Sequence, residues 1–126
     1  MSKILVVDDD IITIQLIEFL LKKNNYEVIT ASDGEEGYEK IIKENPDLVL
    51  LDVMLPKING IEVCEKVKEN KLENPPPIIL LTALGQDVEV VKGIKAGAIS
   101  YITKPFDPKQ VIKKIKDILN SDNEIR

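Results

Sequence analysis

The chain has 126 residues, 44% of them apolar and 31% charged, a composition ordinary for a single water-soluble globular domain long enough to bury a core. Its formal net charge of −5 argues against a nucleic-acid surface, which needs clustered basic side chains. With one cysteine and no histidine, an internal disulfide, histidine catalysis, histidine metal ligands and a phosphohistidine on this chain are excluded.

The charge is uneven. Residues 1–83 carry a balance of −7 and residues 84–126 one of +2, and three aspartates are adjacent in the amino half. The lone Cys64 fits a reducing compartment. No signal peptide and no apolar run near about 18 residues is seen, so the expectation is a cytoplasmic protein without membrane contact.

Lys3-Ile4-Leu5-Val6-Val7 is an apolar, β-branched run that stops at Asp8-Asp9-Asp10 and reads as a buried parallel strand. Ile12, Leu16, Phe19 and Leu20 recur at helical spacing, so a helix runs to about Asn24. Residues 27–31 form a short second strand. Asp33 and Glu36 have capping-box spacing and open a helix over Tyr38, Ile41 and Ile42. Asn45-Pro46-Asp47 stops it, because the residue before proline avoids the α region. Leu48-Val49-Leu50-Leu51 then suits a strand covered on both faces, ending at Asp52 before Val53-Met54-Leu55-Pro56.

Lys57-Ile58-Asn59-Gly60 is a turn into a third helix with Ile61, Cys64 and Val67 on one face, which makes Cys64 a core residue. Asn74-Pro75-Pro76-Pro77 is a stiff connector to a fourth strand, Ile78-Ile79-Leu80-Leu81, which ends in Thr82-Ala83. Val88, Val91, Ile94 and Lys95 predict a fourth helix closed by Gly97. Ser100-Tyr101-Ile102-Thr103 is a fifth strand leading to Lys104-Pro105-Phe106. Asp107 caps a last helix with Pro108 at its first position and Gln110 completing the box; Ile112, Ile115 and Leu119 face the core. The domain spans residues 1–120, and residues 121–126 are a polar tail. Five strand–helix repeats predict an α/β fold with a parallel sheet, helices on both faces and right-handed crossovers.

All strands of a parallel sheet end on one edge, where open α/β folds place their ligands. Asp8 and Asp9 follow the first strand, Asp52 ends the third, Thr82 the fourth and Lys104 the fifth. If these strands are neighbours, the residues gather in one cleft. Each placement has a plain explanation alone: an aspartate caps the first helix, as Asp10 does, Asp52 is a turn residue, Thr82 a cap, Lys104 a solvated lysine. Those explanations do not account for every polar residue falling just after an apolar run. Two carboxylates ~4 Å apart repel by ~4 kcal/mol at an effective dielectric near ~20. Three converging against one lysine should recruit a cation, and oxygen-only ligands suit Mg²⁺ or Mn²⁺. The cation offsets charge on an incoming phosphoryl group. Asp52 can attack that group as a carboxylate nucleophile, giving an acyl phosphate, with Thr82 bonding a phosphate oxygen and Lys104 pairing with it.

Leu5-Val6-Val7-Asp8-Asp9, Leu51-Asp52-Val53-Met54-Leu55-Pro56 with Gly60, Leu81-Thr82-Ala83, Ala96-Gly97-Ala98 and Tyr101-Ile102-Thr103-Lys104-Pro105-Phe106 occur in this order over about residues 2–120. The set resembles the receiver domain of two-component response regulators, of the chemotaxis-regulator type. The resemblance implies a flavodoxin-like, doubly wound sheet of five parallel strands in the order 2-1-3-4-5. It implies Asp52 as phosphoacceptor and Mg²⁺ held by Asp9, Asp52 and the backbone carbonyl of Met54, with Asp8 acting through a water on the metal. Thr82 and Tyr101 are the implied switch pair: phosphate draws the Thr82 hydroxyl inward and the Tyr101 ring follows. Lys104–Pro105 resembles the family's cis peptide. Two departures stand out: Ile99-Ser100 where many relatives carry two acidic residues, and Gln110 near a position where winged-helix regulators often carry glutamate.

The leading expectation is a phosphorylation switch rather than an enzyme, with at most slow self-dephosphorylation. The donor is a phosphohistidine on a partner sensor histidine kinase or histidine phosphotransfer protein. The output, to an unidentified protein or domain, runs through the face of the fourth helix, fifth strand and last helix. A Mg²⁺-dependent phosphatase of haloacid-dehalogenase type also uses an aspartate nucleophile and a lysine, but needs an acid two residues later, where Met54 stands. A flavodoxin-type flavin module needs a Ser/Thr/Gly-rich phosphate loop after the first strand, where three aspartates stand instead.

Overall fold

A computed structural model describes residues 1–124, with side chains to residue 120. The elements alternate: β1 (Lys3–Val7), α1 (Ile11–Lys23), β2 (Glu27–Ala31), α2 (Gly34–Glu44), β3 (Leu48–Asp52), α3 (Gly60–Glu69), β4 (Ile78–Thr82), α4 (Asp87–Lys95), β5 (Ser100–Thr103) and α5 (Pro108–Glu124). All strand pairs are parallel, and the sheet order is β2-β1-β3-β4-β5, as expected. The chain steps from β1 outward to β2, then returns past β1 to β3. The strand order therefore reverses between β1 and β3, the position at which open α/β sheets form a crevice.

Side chains alternate between the two faces of the sheet, and each face has its own core. Leu5, Val7, Val49, Leu51 and Leu80 join Ile41, Val63, Cys64 and Val67 from α2 and α3. Ile4, Val6, Leu50, Ile79 and Leu81 join Ile17, Leu21, Val111 and Ile115 from α1 and α5. Every residue of β3 and β4 is buried, so the apolar runs that mark these strands follow from cover on both sides. Cys64 lies in the first of these cores, and burial pushes its thiol up to about 12, so it is an inert packing residue.

Two helices differ from the expected stripes. In α1 the buried residues are Thr13, Ile17 and Leu21, whereas Ile12, Leu16 and Phe19 are 64%, 63% and 70% exposed. The apolar spacing marks the helix correctly but not its inward face. In α4 the buried residue is Gly93, and Val88, Val91 and Ile94 are exposed. A Cβ at Gly93 would collide with Leu80, so the missing side chain is what lets α4 lie close on β4.

The helix ends follow local chemistry. The Asp10 carboxylate accepts from the Ile12 N–H and the Thr13 hydroxyl, capping α1. Asp33 caps α2 by accepting from the Glu36 N–H, but the Glu36 carboxylate reaches back to the Ser32 N–H rather than to the cap residue. Asn59 and Glu62 form a full capping box on α3, where only a turn was expected; the Asn-x-x-Glu spacing carries that signal. Asp107 accepts from the Lys109 N–H at the start of α5. That helix continues to Glu124, past the boundary expected at residue 120, and the last two residues of the expected tail lie outside the described residues. No helix among the described residues is long and apolar enough to cross a membrane.

Gly60 joins α3 to the end of β3. Its N–H donates to the Val53 carbonyl at 2.9 Å, and a Cβ there would collide with the Asp52 carbonyl oxygen. Gly60→Ala is therefore expected to destabilise the chain by about 1–3 kcal/mol, the usual cost of overpacking. A urea titration showing an unchanged midpoint would mean that α3 can move away without cost.

Candidate functional site

Strand register assembles the site. Val7 pairs with Leu51, so the residues that follow, Asp8 and Asp52, stand level at the ends of β1 and β3. Asp52 pairs with Leu81, and Thr82 with Thr103, which sets Thr82 at the end of β4 and Lys104 just beyond β5. Asp8, Asp52 and Thr82 are buried, at 0%, 7% and 2% exposure, while Asp9 is exposed at the rim. The peptide between Lys104 and Pro105 is cis, as the resemblance implies.

The Lys104 ammonium links the two buried carboxylates. Its Nζ lies 2.7 Å from Asp8 Oδ2 and 3.3 Å from Asp52 Oδ2. The other Asp8 oxygen accepts from the Asp10 N–H at 2.9 Å, so both oxygens of Asp8 have partners within the fold. Asp52 Oδ1 accepts from the Met54 N–H at 3.2 Å. Burial, then the charge of Asp8, raises the Asp52 carboxyl to about 6, against opposition from Lys104 and the Met54 amide. For Lys104 burial acts to lower the affinity for a proton, but the hydrogen bond to Asp8 and the charges of Asp52 and Asp8 outweigh it, and the ammonium is held more tightly than usual.

Asp8, Asp9 and Asp52 each offer a carboxylate oxygen, and these oxygens lie within 4.8 Å of one another. An all-oxygen donor set of this charge fits a hard divalent cation such as Mg²⁺. The acidic convergence expected from the sequence is thus present. Met54 stands beside it and is 58% exposed.

Tyr101 lies further back. It pairs with Leu80 rather than Thr82, and it is 48% exposed. Lys114 Nζ sits 5.5 Å from the ring centroid and donates to the Tyr101 carbonyl at 2.8 Å. Thr82, Thr103, Leu80 and Tyr101 share one face of the sheet because paired residues in parallel strands project the same way. Tyr101 is exposed in this structure, with Lys114 of α5 over its ring.

The site also contains a backbone group with no signature in side-chain types. Along β4 the peptide groups alternate in direction. The Leu81 carbonyl faces β3, where it accepts from the Val53 N–H, and the Thr82 carbonyl faces β5, where it accepts from the Lys104 N–H. By the same alternation the Ala83 N–H faces the β3 side, over the end of the strand that carries Asp52. A continuing parallel ladder would give it the Val53 carbonyl, but that carbonyl accepts from Gly60. Ala83 therefore presents the first amide beyond the sheet on the Asp52 side.

Comparison with known proteins is consistent with this arrangement. Residues 4–116 match the family model described as response regulator receiver domain. The chain is 49% identical over 118 residues to the alkaline phosphatase synthesis transcriptional regulatory protein PhoP of Bacillus subtilis, covering 94% of this chain and 48% of that protein. It is 42% identical over 118 residues to the transcriptional regulatory protein ResD of the same organism, with the same coverage. The chain thus spans about half the length of the curated relatives it matches. Among solved structures, the CheY-like response regulator receiver domain protein of Methanospirillum hungatei superposes with a TM-score of 0.91 at 32% identity, over 100% of this chain and 99% of that one. A response regulator structure from Chloroflexus aurantiacus gives 0.88 at 38% identity, over 94% and 98%.

The raised Asp52 carboxyl has a consequence for stability. Its folded value of about 6 lies above the unfolded value of about 3.9, so ionised Asp52 opposes folding at neutral pH. That opposition fades as pH falls through 6 and is gone below about 4. Asp52→Asn is expected to melt above the unsubstituted chain at pH 7.5, with the gap closing towards pH 4. A gap independent of pH in thermal melts would contradict this.

Proposed function

The chain belongs to the response regulator receiver domain family, and from that premise we propose that Asp52 accepts a phosphoryl group from a phosphohistidine of a partner and that this charge event drives the switch. Receiver domains act in two-component systems alongside histidine kinases, as phosphorylation-dependent signalling proteins. The observation that carries the assignment of Asp52 is its position: a buried carboxylate, 3.3 Å from an ammonium and grouped with two further carboxylates, at the reversal point of the sheet.

An oxygen of Asp52 attacks phosphorus while the bond to the donor imidazole nitrogen breaks and its electron pair stays on the ring. Asp52 becomes an acyl phosphate. Asp9, Asp52 and the Met54 carbonyl are the proposed ligands of Mg²⁺, or Mn²⁺ in its place, with Asp8 supporting them. When bound, this ion offsets the negative charge that the phosphoryl group adds to the cleft. Lys104 pairs with a phosphoryl oxygen, Thr82 donates its hydroxyl to another, and the amide of Ala83 faces a third. Pairing with phosphate draws Lys104 from its bond to Asp8, and movement of Thr82 opens space into which the Tyr101 ring turns. The changed surface is that of α4, β5 and α5, offered to an output protein or domain. This domain makes no direct contact with nucleic acid in the proposal, and dephosphorylation within the chain is slow. Met54, two residues after Asp52, supplies no acid for the turnover of a phosphatase.

Asp52→Asn is expected to abolish labelling by a phosphohistidine donor or a small acyl phosphate in the presence of Mg²⁺, with the fold intact. Intact-mass measurement decides it: an acid-labile phosphate at unchanged stoichiometry would move the acceptor elsewhere. Lys104→Ala is expected to accept phosphate about tenfold or more slowly, since a charge-assisted hydrogen bond is worth about 1.5–3 kcal/mol, and to leave Tyr101 outward. Tyr101 fluorescence or ring chemical shifts that change on phosphorylation of Lys104→Ala as in the unsubstituted chain would remove the lysine from the switch.

A further inference from the structure

The amide of Ala83 is not free in this structure. It donates to the side-chain Oε1 of Gln86 at 2.7 Å. Gln86 is the residue before α4, at the position where a side chain ordinarily caps the helix, yet it makes no cap hydrogen bond to the helix amides. It turns back to Ala83 instead, and the Gln86 N–H closes the same short loop on the Ala83 carbonyl at 3.3 Å. The strand alternation described above aims this amide at the space over Asp52, and the Val53 carbonyl that would otherwise take it is bonded to Gly60. The amide thus has two prospective acceptors on its side of β4: the Gln86 carboxamide and whatever oxygen stands on Asp52.

We propose that Gln86 is a latch, its carboxamide oxygen occupying in the unphosphorylated chain the donor that a phosphoryl oxygen on Asp52 takes. The proposal rests on the phosphoacceptor role of Asp52. One N–H cannot serve both acceptors at full strength, so phosphorylation releases Gln86. Release loosens the only side-chain tie given to the loop of Ala83, Leu84 and Gly85 among the described residues. Leu84 is 85% exposed and no atom lies within 4 Å of where a Gly85 Cβ would stand, so the backbone bond from Gln86 N–H to the Ala83 carbonyl is the main restraint that remains on this segment. The start of α4 is thereby coupled to the phosphoryl group through one hydrogen bond, independently of Thr82 and Tyr101. A contact made in one state only shifts the equilibrium by its own free energy. Gln86 accordingly holds the chain in its unphosphorylated form and sets how much phosphoryl-site affinity the switch must supply.

The test uses beryllofluoride with Mg²⁺ as the phosphoryl mimic and the ¹H–¹⁵N resonance of Ala83 as the reporter. Gln86→Met keeps the length and the apolar stem but has no oxygen acceptor; Gln86→Ala is the second variant. Both are expected to bind beryllofluoride more tightly than the unsubstituted chain, by about twofold to tenfold, the range of one net hydrogen bond. The Ala83 resonance of the variants is expected to differ from the unsubstituted chain in the free state and to coincide with it in the bound state. Equal or weaker binding by the variants, or an Ala83 resonance that still differs when bound, would show that Gln86 braces the loop in both states and is no latch. That outcome leaves the role of Asp52 standing. An unsubstituted chain that does not bind beryllofluoride, or an Asp52→Asn variant that binds it equally well, would overturn the phosphoacceptor assignment and the latch with it.

Discussion

Lys104 holds two buried carboxylates together, at 2.7 Å from Asp8 and 3.3 Å from Asp52. Without it, β1 and β3 would end in unscreened like charges on adjacent strands, which the interior of a sheet edge does not tolerate. Even with it the cleft remains acidic: burial and Asp8 still raise the Asp52 carboxyl to about 6. The site therefore stores repulsion that a cation would relieve, and its lysine is shared between two carboxylates. A pair that was fully satisfied would be a structural strut. This one is under-compensated by design of the strand order, and its weakest tie, the longer one to Asp52, is at the residue where chemistry is proposed.

The scaffold explains how such a cluster persists. β3 and β4 are buried along their whole length, between a core backed by α2 and α3 and another backed by α1 and α5. The acidic groups stand at strand ends, where the packed layers stop and a carboxylate can reach the rim. Gly60 adds a second fixed point, because its N–H takes the Val53 carbonyl and its lack of a side chain lets α3 begin against the Asp52 backbone. The same bond withdraws the ladder partner from Ala83. One local packing choice thus both anchors the acceptor strand and leaves an amide to be used by Gln86 or by a ligand of Asp52.

Beside this rigid edge lies a lightly held one. α4 touches the sheet through Gly93 on Leu80, with Val88, Val91 and Ile94 exposed, and Tyr101 on β5 is exposed under Lys114 of α5. Helices that bury little apolar surface move at low cost. The two halves of the proposed switch are therefore differently built: the acceptor is fixed by the central strands, whereas on the responding face β5 is held by its ladder to β4 and α5 by Val111 and Ile115, and α4 is the lightly held element.

The order of elements, the parallel sheet, the strand ends and most helix caps were legible in the sequence, because apolar period, chain-breaking residues and capping side chains act within a few residues. Asp8, Asp9, Asp52, Thr82 and Lys104 could be picked out for the same reason: each stands at or just past the end of a predicted strand. The inward face of α1 was not legible. Ile12, Leu16 and Phe19 mark a helix, but Thr13, Ile17 and Leu21 are the residues turned to the sheet, and only the angle at which α1 packs decides between them. Nor was the closer tie of Lys104 to Asp8 than to Asp52, the distance of Tyr101 from Thr82, or the direction of the Ala83 amide. These depend on register between strands far apart in the chain and on hydrogen-bond partners claimed by other elements. Local periodicity is enough to say which groups reach the carboxyl edge of the sheet; which of them touch, and which amide is left without a ladder partner, follows from pairing between strands far apart in the chain.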